Sequence, residues 1–430
     1  MDPDWVVPIV PRGAVWRDHS VVVRGATIEA VLPRAEAERQ FPTAAVVALP
    51  GQVLIPGLVN THTHAAKTLL RGYADDLPLL EWLEQRIWPA EARWVDDGFV
   101  ADGTRFACWE MLTGGTTAFN DMYFYPSAAA REGVRAGMRV TAGVLYLEVA
   151  TGYASSEREY LERGLAAVEE WRGHERAQFM LAPHSTYATS VDSWENAAAL
   201  CETQGIGIHT HLNETWGEVE RHISHHRIPS VQWLADHQVL SPNFLAAHAV
   251  HMTKHDIALA AEYGVTVSHC PSSNLKLASG FAKVQQMLDA GITVGIGTDG
   301  TASNNRLDMF QEMRTTALLG KGVARDGAAL DAHTVLTMAT LNGATALGLD
   351  HLIGSIEPGK QADLVSVDLT DATSVPMYDV ASHLVYVCGR NDVANVWVGG
   401  DLVVRDRECL TVSRAEVIAN AQEWQERISG

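Results

Sequence analysis

The spacing of hydrophobic residues changes at about residue 53 of the chain. Before that point, short β-rich runs such as 20–23 and 27–32 are separated by turn residues, and a helical pattern interrupts them at 34–40. Beyond it, short apolar runs alternate with long stretches in which apolar residues recur at helical spacing. This alternation is typical of βαβ units built around a parallel sheet.

Eight apolar runs in the second region have the length of buried strands. They are residues 53–59, 116–119, 139–145, 179–182, 206–210, 244–247, 265–268 and 292–297. Helical patterns separate these runs, and eight strand–helix repeats match a (β/α)8 TIM barrel. An open doubly wound sheet is the competing arrangement, but the G-x-G-x-x-G fingerprint of its commonest forms is absent from the sequence.

Strand character returns after residue 352. Residues 354–367 contain a turn followed by alternating apolar positions, and residues 395–404 predict a hairpin with Gly-Gly-Asp in its turn. A capped amphipathic helix is predicted over residues 413–428. The C-terminal region therefore resembles the N-terminal strands more than the middle of the chain.

At 430 residues the chain is too long for one small core, so we predict two domains. Residues 56–353 form the barrel. Residues 1–55 and 354–430 combine into a small β-sandwich that carries the C-terminal helix. The predicted fold class is α/β, a (β/α)8 barrel with a flanking β domain built from both termini.

Charge and composition exclude several classes of partner. The formal charge is −20, so nucleic-acid backbones and anionic membrane surfaces repel the chain. The five cysteines are scattered without a C-x-x-C spacing, which suits free thiols in a reducing compartment. No apolar run approaches the ~20 residues that cross a bilayer, and no signal-peptide pattern is present. We expect a soluble cytoplasmic protein.

Candidate chemistry begins at the end of the first predicted strand, where His62 and His64 flank one threonine. Alternate side chains of a strand share a face, so the two imidazoles can bind one metal ion such as zinc. An H-x-H pair also arises by chance, but barrel active sites lie at strand ends, and later strands end in similar residues. These residues are His184, His209, His211, His248, His251, His269 and Asp299.

A catalytic zinc needs several protein ligands and an open position for water. His62, His64, a histidine of the fifth strand and Asp299 provide such a set. His209 and His211 point to the same face of that strand, so either can be the third histidine. The metal would lower the pKa of bound water from about 15.7 towards ~7.

Glu214 follows His211 by three residues, just past the end of the fifth strand. A carboxylate in this place can move protons between the water and a substrate. His248 has no metal-binding role in this arrangement and can orient the attacking hydroxide, whereas His251 lies further into the loop. The alternative is a non-catalytic barrel with ordinary core histidines.

Longer motifs surround these residues. They occupy residues 56–64, 69–79, 81–83, 114–117, 121–123, 182–184, 211–215, 273–280, 297–305 and 359–364. On these motifs the chain resembles the amidohydrolase superfamily in its cytosine-deaminase-like branch, and more narrowly the 5-methylthioadenosine/S-adenosylhomocysteine deaminases. The resemblance extends from the N-terminal strands to the hairpin near residue 400.

The resemblance implies one divalent metal per subunit, usually zinc, with Fe²⁺ or another transition metal as alternatives. Its implied ligands are His62, His64, His211 and Asp299. The family's metal histidine stands three residues before the catalytic glutamate, which selects His211 over His209. The implied reaction is hydrolytic deamination of an adenosine-type nucleoside, in which metal-bound hydroxide attacks C6 of the purine and an inosine derivative and ammonia form.

The resemblance also implies roles for single residues. Glu214 would protonate the purine ring nitrogen and help to expel ammonia, Asp299 would accept a proton from the attacking water, and His248 would hydrogen-bond the hydroxide. Glu91 would bind the ribose hydroxyls and His184 would be a further substrate contact. Some members bind the distal end of the substrate with arginines after the third strand, and the sequence does not decide whether Arg158 is their counterpart here.

Three alternatives stay open at this point. Within the superfamily, the rival reactions are deamination of a free base such as guanine and hydrolysis of an s-triazine. Outside enzymes, a barrel used as a scaffold is the third. The expected partner is a small nucleoside substrate in preference to a nucleic acid or a membrane. The 5′ substituent, which is homocysteine, methylthio or hydroxyl, is not determined, and the resemblance allows a homo-oligomer.

Overall fold

The structure, a computed structural model, describes residues 1–77 and 79–430, without the side chains of Leu79 and Leu80. Pro78, within the family-like segment 69–79, lies outside the described residues. The N-terminal region contains five strands, of which two form a separate hairpin. The five are β1 (Asp2–Val6), β2 (Trp16–Arg17), β3 (His19–Arg24), β4 (Thr27–Pro33) and β5 (Ala48–Pro56).

Eight parallel strands then form a nearly closed barrel in which each strand pairs with the next one along the chain. They are β6 (Leu58–Thr63), β7 (Thr116–Asp121), β8 (Arg139–Tyr146), β9 (Ala177–Pro183), β10 (Gly207–Leu212), β11 (Phe244–His248), β12 (Thr266–His269) and β13 (Val294–Ile296). Beyond β13, the backbone N–H of Asp299 donates to the carbonyl oxygen of His62 at 3.0 Å, which ties the last strand to the first. The predicted fold class is confirmed.

The C-terminal strands complete the flanking sheet. They are β14 (Leu364–Asp368), β15 (Val393–Val398), β16 (Asp401–Arg405) and β17 (Glu408–Cys409). The sheet has the order β17-β16-β15-β14-β5-β1-β2, so strands from both ends of the chain share it, and β3 and β4 pair separately. The division of the chain into domains at residues 56 and 353 stays a prediction.

Helices connect the strands, with short 3₁₀ turns besides. They are α1 (Arg34–Gln40), α2 (Leu79–Trp82), α3 (Trp88–Trp94), α4 (Asp97–Thr113), α5 (Pro126–Arg135), α6 (Glu157–Glu170), α7 (Val191–Gln204), α8 (Trp216–His226), α9 (Ser230–Asp236), α10 (Lys254–Glu262), α11 (Pro271–Lys276), α12 (Val284–Asp289), α13 (Met309–Ala324), α14 (Ala332–Ala339), α15 (Leu341–Ala346), α16 (Val380–Tyr386) and α17 (Arg414–Ser429). A 3₁₀ helix, Ala65–Leu70, follows β6 directly. Within the described residues, no helix combines the length and the apolar character that a bilayer crossing requires.

The first barrel strand differs from its prediction. Residues 53–59 were expected to form one strand, but Gly57 separates β5, which ends at Pro56, from β6, which begins at Leu58. The two strands belong to different sheets, because β5 pairs with β14 and β6 with β7. A Cβ atom at Gly57 would lie 2.1 Å from Oγ1 of Thr117, so the crossing requires a glycine. A continuous apolar run does not reveal this change of sheet.

Candidate active site

Three histidines meet at the carboxyl ends of the barrel strands, with ring nitrogens within 4.8 Å of one another. His62 lies in β6, His64 follows β6, and His211 lies in β10. Nδ1 of His64 lies 2.5 Å from the carbonyl oxygen of Met122, and Nδ1 of His211 lies 2.8 Å from that of His184. Because a carbonyl oxygen only accepts, both rings carry their proton on Nδ1. The two Nε2 atoms, 3.4 Å apart, therefore each carry a lone pair and can bind one cation together.

Asp299, which follows β13, completes this cluster. Its Oδ1 lies 3.3 Å from Nε2 of His64 and 3.6 Å from Nε2 of His62. The carboxylate accepts hydrogen bonds from the hydroxyl of Ser273 and the backbone N–H of Gly300, both at 2.6 Å. Nε2 of His62 is buried and has no hydrogen-bond partner among the described residues. An orphaned ring nitrogen, two facing lone pairs and a carboxylate form the donor set of a divalent transition metal, so these residues fit such an ion.

The structure distinguishes the two histidines of the fifth strand. Nε2 of His209 lies 2.8 Å from Nδ1 of His62, and its Nδ1 lies 3.0 Å from the side-chain amide of Asn120. Both ring nitrogens of His209 therefore have partners inside the barrel. Nε2 of His211 instead faces the cluster, so the geometry brings His211 and not His209 to the candidate metal site.

Glu214 and His248 lie against the same cluster. The rings of His248 and His62 have centroids 5.3 Å apart, and Nε2 of His248 is 3.9 Å from Oε2 of Glu214. Burial raises the pKa of Glu214. Burial alone would lower the pKa of His248, but the charges of Glu214 and Asp299 raise it above its ordinary value. A carboxyl group with a raised pKa beside an imidazole is suited to proton transfer.

A tight turn directs Glu214 into the site. Asn213 adopts the left-handed backbone conformation, with φ at +50°. In the first turn of α8, the carboxylate of Glu218 accepts the backbone N–H groups of Asn213 and Glu214, at 3.2 and 2.8 Å. The side-chain oxygen of Asn213 accepts a hydrogen bond from Ser230. Asn213 and Glu218 therefore support the turn that carries Glu214.

A cavity of about 390 Å³ opens beside His64 and has a largely apolar lining. Among its polar residues, Glu91 accepts a hydrogen bond at Oε1 from the Tyr123 hydroxyl at 2.8 Å, and Nζ of Lys67 lies 3.3 Å from the same oxygen. His184 also lines the cavity. Burial and the charge of Lys67 lower the pKa of His184 to about 4, so its ring is neutral at pH 7. Both predicted substrate contacts thus face one cavity.

Two residues considered from the sequence lie elsewhere. Arg158 is on α6 with a side chain that is 84% exposed, and it pairs with Glu162 at 3.1 Å. Nε2 of His251 lies 2.6 Å from the carbonyl oxygen of Ser279, outside the histidine cluster. Neither residue belongs to the ring nitrogens and carboxylates that converge on the site.

Lys67 and Tyr123 line the cavity, and sequence reasoning missed both of them. Lys67 carries a detectable signal, because it is the one charged residue in the otherwise apolar or neutral segment Ala65–Leu70. Tyr123 lies within the family-like motif at 121–123, but a tyrosine two residues beyond a strand has no distinctive spacing. Both residues contact Glu91, which lies far from Tyr123 along the chain, so the sequence does not reveal the contact.

Comparisons with known proteins agree with this geometry. The model of the amidohydrolase family matches residues 53–403. A curated relative from Teredinibacter turnerae, a 5-methylthioadenosine/S-adenosylhomocysteine deaminase, is 43% identical over 100% of this chain and 97% of its own length. The chain therefore belongs to the amidohydrolase family, within the group of the 5-methylthioadenosine/S-adenosylhomocysteine deaminases. The predicted family is confirmed.

Solved structures are similar over nearly the whole chain. An adenosine deaminase from Xanthomonas campestris, determined with bound zinc, has a TM-score of 0.97 and 43% identity and covers 100% of this chain and 98% of its own. An atrazine chlorohydrolase from Arthrobacter aurescens, complexed with zinc, has a TM-score of 0.91 at 22% identity, with 98% of each chain covered. The E. coli guanine deaminase has a TM-score of 0.82 at 24% identity and covers 92% and 94%. The last two share the fold alone.

Proposed function

We propose that this enzyme hydrolyses the C6 amino group of adenosine-type nucleosides and releases ammonia and an inosine derivative. The substrates are S-adenosylhomocysteine, 5′-methylthioadenosine and adenosine. One observation carries the proposal: Glu91 shares a cavity with His64, while Glu214 and His248 lie against the same histidine cluster. A hydroxyl-binding carboxylate and a proton-transferring carboxylate thus flank one candidate metal site. The relatives at about 43% identity, deaminases by name, support the same reaction.

His62, His64, His211 and Asp299 are the residues that would hold one metal ion, for which we propose zinc. When bound, the ion would polarise water and lower its pKa towards ~7. The orphaned Nε2 of His62 supports this assignment, because a buried nitrogen without a partner is costly unless it binds something. Zinc is also the metal named for the Xanthomonas campestris structure.

The chain's own groups would move the protons. Glu214, with its raised pKa, donates a proton to the purine ring nitrogen adjacent to C6 and later assists the departure of ammonia. Asp299 accepts a proton from the attacking water through its carboxylate. His248 holds the water in line with C6, and Asn274 fixes its ring by the 2.8 Å contact at Nδ1.

The cavity would bind the rest of the nucleoside. A carboxylate can accept from both hydroxyls of a ribose, which assigns Glu91 to that part of the substrate. His184, neutral near pH 7, offers a hydrogen-bonding ring without a charge. The largely apolar lining beyond these residues would surround the 5′ substituent.

The two rivals within the superfamily predict different substrates. A guanine-like deaminase acts on a free base, and an s-triazine hydrolase acts on a ring that carries no sugar. Neither rival gives Glu91 a ribose to bind, and both corresponding structures are below 25% identity. For these reasons we favour a nucleoside.

Ultraviolet absorbance of the purified, metal-loaded protein tests the proposal. The panel contains adenosine, S-adenosylhomocysteine, 5′-methylthioadenosine, adenine, guanine and atrazine. We expect the spectral change from adenine to hypoxanthine with the nucleosides and no turnover of the other three. Turnover of guanine or atrazine without any nucleoside would refute the proposal, and metal analysis of the same sample would identify the ion.

Two further assignments belong with this proposal. We assign the protein to the cytoplasm and allow that it forms a homo-oligomer. The charge of −20 supports the expectation that nucleic acids and membranes are not its partners. Fractionation of cells and light scattering of the purified protein would test these points.

A further inference from the structure

We infer that Lys67 determines substrate specificity, because its ion pair with Glu91 holds that carboxylate in the orientation that recognises two vicinal hydroxyls. The inference rests on the proposed function and goes beyond it, since it assigns a residue and a mechanism to the recognition of ribose. Lys67 is a positioning residue in this scheme, and Glu91 makes the contact with substrate.

Two hydrogen bonds of its backbone fix the position of Lys67 beside the candidate metal site. Its backbone N–H donates to the carbonyl oxygen of His64 at 3.0 Å, and its carbonyl oxygen accepts from the hydroxyl of Thr301 at 2.7 Å. His64 and Asp299 are candidate metal ligands, and Thr301 lies two residues beyond Asp299. The backbone of Lys67 is therefore tied to the loops that carry two of the four ligands.

The side chain of Lys67 is buried, with the residue 8% exposed, and it extends into the cavity. Its Nζ lies 3.3 Å from Oε1 of Glu91, whose side chain is 11% exposed. The same Nζ is 5.6 Å from the ring centroid of Tyr123 and 5.9 Å from that of Trp82, within the range of cation–π attraction. A buried cation requires a charged partner, and Glu91 is the carboxylate that provides it among the described residues.

The hydrogen bond and the ion pair of Glu91 involve the same carboxylate oxygen. The hydroxyl of Tyr123 and the ammonium of Lys67 each contact Oε1. Oε2 makes no hydrogen bond to another described residue, so it is left for a ligand in the cavity. A carboxylate held at one oxygen and free at the other can accept from both hydroxyls of a vicinal diol at Oε2, which keeps two lone pairs.

Loss of Lys67 would leave Glu91 with Tyr123 alone and with a buried charge that has no counter-ion. The carboxylate would then turn towards water or recruit another donor, and its contact with the diol would weaken. The effect should depend on the substrate's hydroxyls, because the Lys67 side chain pairs with Glu91 and makes no hydrogen bond or ion pair with the histidine cluster or with Glu214. Lys67→Met is the direct test, since methionine keeps the length and apolar contacts of the side chain.

The measurement is kcat/KM for adenosine and for 2′,3′-dideoxyadenosine in the wild type and in Lys67→Met, Glu91→Gln and the double variant. A hydrogen bond to a charged group implies that each single change lowers the value for adenosine by about tenfold to a hundredfold. For the dideoxynucleoside we expect less than about a threefold change, because it has no diol to lose. The double variant should be no worse with adenosine than Glu91→Gln, since Lys67 acts through Glu91.

Lys67→Arg and Lys276→Met are the controls. Arginine keeps the positive charge and should restore most of the preference for adenosine. Lys276 pairs with Asp75 at 2.6 Å and does not line the cavity, so Lys276→Met should leave the preference unchanged. If Lys67→Met folds poorly, Lys67→Gln keeps a donor of similar length without the charge and should show the same selective loss.

Three results would overturn the inference. The first is an equal loss for both substrates in Lys67→Met, which would place Lys67 at the reaction centre or in the folding of the site. The second is an unchanged preference in Lys67→Met while Glu91→Gln loses it, which would leave the proposed function intact. The third is a wild type that deaminates no nucleoside, which would remove the proposed function and this inference together.

Discussion

Glu214 combines burial, which raises its pKa, with two polar neighbours, Ser279 and His248, that favour its charged form. Its Oε1 accepts from the Ser279 hydroxyl at 3.3 Å, and its Oε2 lies 3.9 Å from Nε2 of His248. Glu214→Gln keeps the shape and removes the titratable carboxyl group. We expect kcat to fall by about 10²- to 10⁴-fold or more, with the metal content unchanged. Steady-state assays with adenosine and elemental analysis of the same preparation check this prediction.

Glu220→Gln is the matched control for that prediction. Glu220 is exposed on α8 and accepts a hydrogen bond from Nε1 of Trp216 at 2.7 Å, so its replacement should leave turnover unchanged. If Glu214→Gln retained most of its activity, the proton-transfer role would be wrong. If it lost both activity and metal, Glu214 would be a structural support of the ion site.

His209 illustrates how a buried residue without substrate contact can influence the site. His64 and His211 are each oriented by a backbone carbonyl, whereas Nδ1 of His62 faces the ring of His209 at 2.8 Å. His209→Phe removes that partner and keeps an aromatic ring. We expect the affinity for zinc to fall by about 10- to 100-fold, measured by competition with a chelating dye.

The control for His209→Phe is His255→Phe, because His255 is exposed and contacts Gln232 at 3.0 Å, far from the cluster. His255→Phe should bind zinc as the wild type does. An unchanged affinity in His209→Phe would show that packing alone orients His62. If circular dichroism shows that His209→Phe does not fold, His209→Gln is the second variant. Glutamine can still form a hydrogen bond, so this variant should recover part of the affinity for zinc.

At the scale of elements, the close approach of α4 to the 3₁₀ helix Ala65–Leu70 determines where Lys67 lies. A Cβ at Gly103 of α4 would be 2.3 Å from the carbonyl oxygen of Ala66, and the hydroxyl of Thr68 donates to the carbonyl oxygen of Gly103 at 2.6 Å. Gly103→Ala must displace one element. We expect a loss of about 1–3 kcal/mol in the free energy of unfolding, measured by urea denaturation.

Gly322 provides the contrast, because it lies in α13 and a Cβ there would meet nothing within 4 Å. Gly322→Ala should raise the free energy of unfolding by about 0.5–1 kcal/mol, through helix propensity. Equal effects of the two substitutions would mean that α4 does not pack against the 3₁₀ helix as described. A higher KM for adenosine in Gly103→Ala alone would connect this contact with the placement of Lys67.

Elements also explain which parts of the site are predictable from sequence. Seven of the eight barrel strands lie where apolar runs indicate them, and His211 and Asp299 lie at the carboxyl ends of strands, which converge in any such barrel. The break at Gly57 is not predictable, because the apolar run continues across it while the hydrogen-bonding partners change. The pairing of Lys67 with Glu91 is not predictable either. This pairing depends on the position of α3, which lies between β6 and β7 in the chain and contributes Glu91 to the cavity lining.

On the scale of the whole molecule, a buried ion pair joins the barrel to the flanking sheet. Arg139 in β8 donates two hydrogen bonds to Asp363, from Nε and Nη2 to the two carboxylate oxygens, both at 2.9 Å. The two side chains are 3% and 1% exposed. Oδ1 of Asp363 also accepts the backbone N–H of Gly399, at 2.8 Å, in the turn between β15 and β16. This bidentate contact therefore connects a barrel strand with the C-terminal hairpin.

Removing one partner of this pair should destabilise the whole protein. Asp363→Ala leaves the Arg139 guanidinium buried without a counter-ion, and a buried ion broken in this way costs about 3–5 kcal/mol. Replacing both residues, as Arg139→Met with Asp363→Leu, removes the charges together and should recover much of that loss, although the N–H of Gly399 stays unsatisfied. Glu169→Ala, at an exposed pair with Arg172, should cost less than about 1 kcal/mol. Urea unfolding, monitored by tryptophan fluorescence and circular dichroism, would compare these three variants with the wild type. If Asp363→Ala lost as little free energy of unfolding as Glu169→Ala, the barrel and the flanking sheet would not depend on this pair.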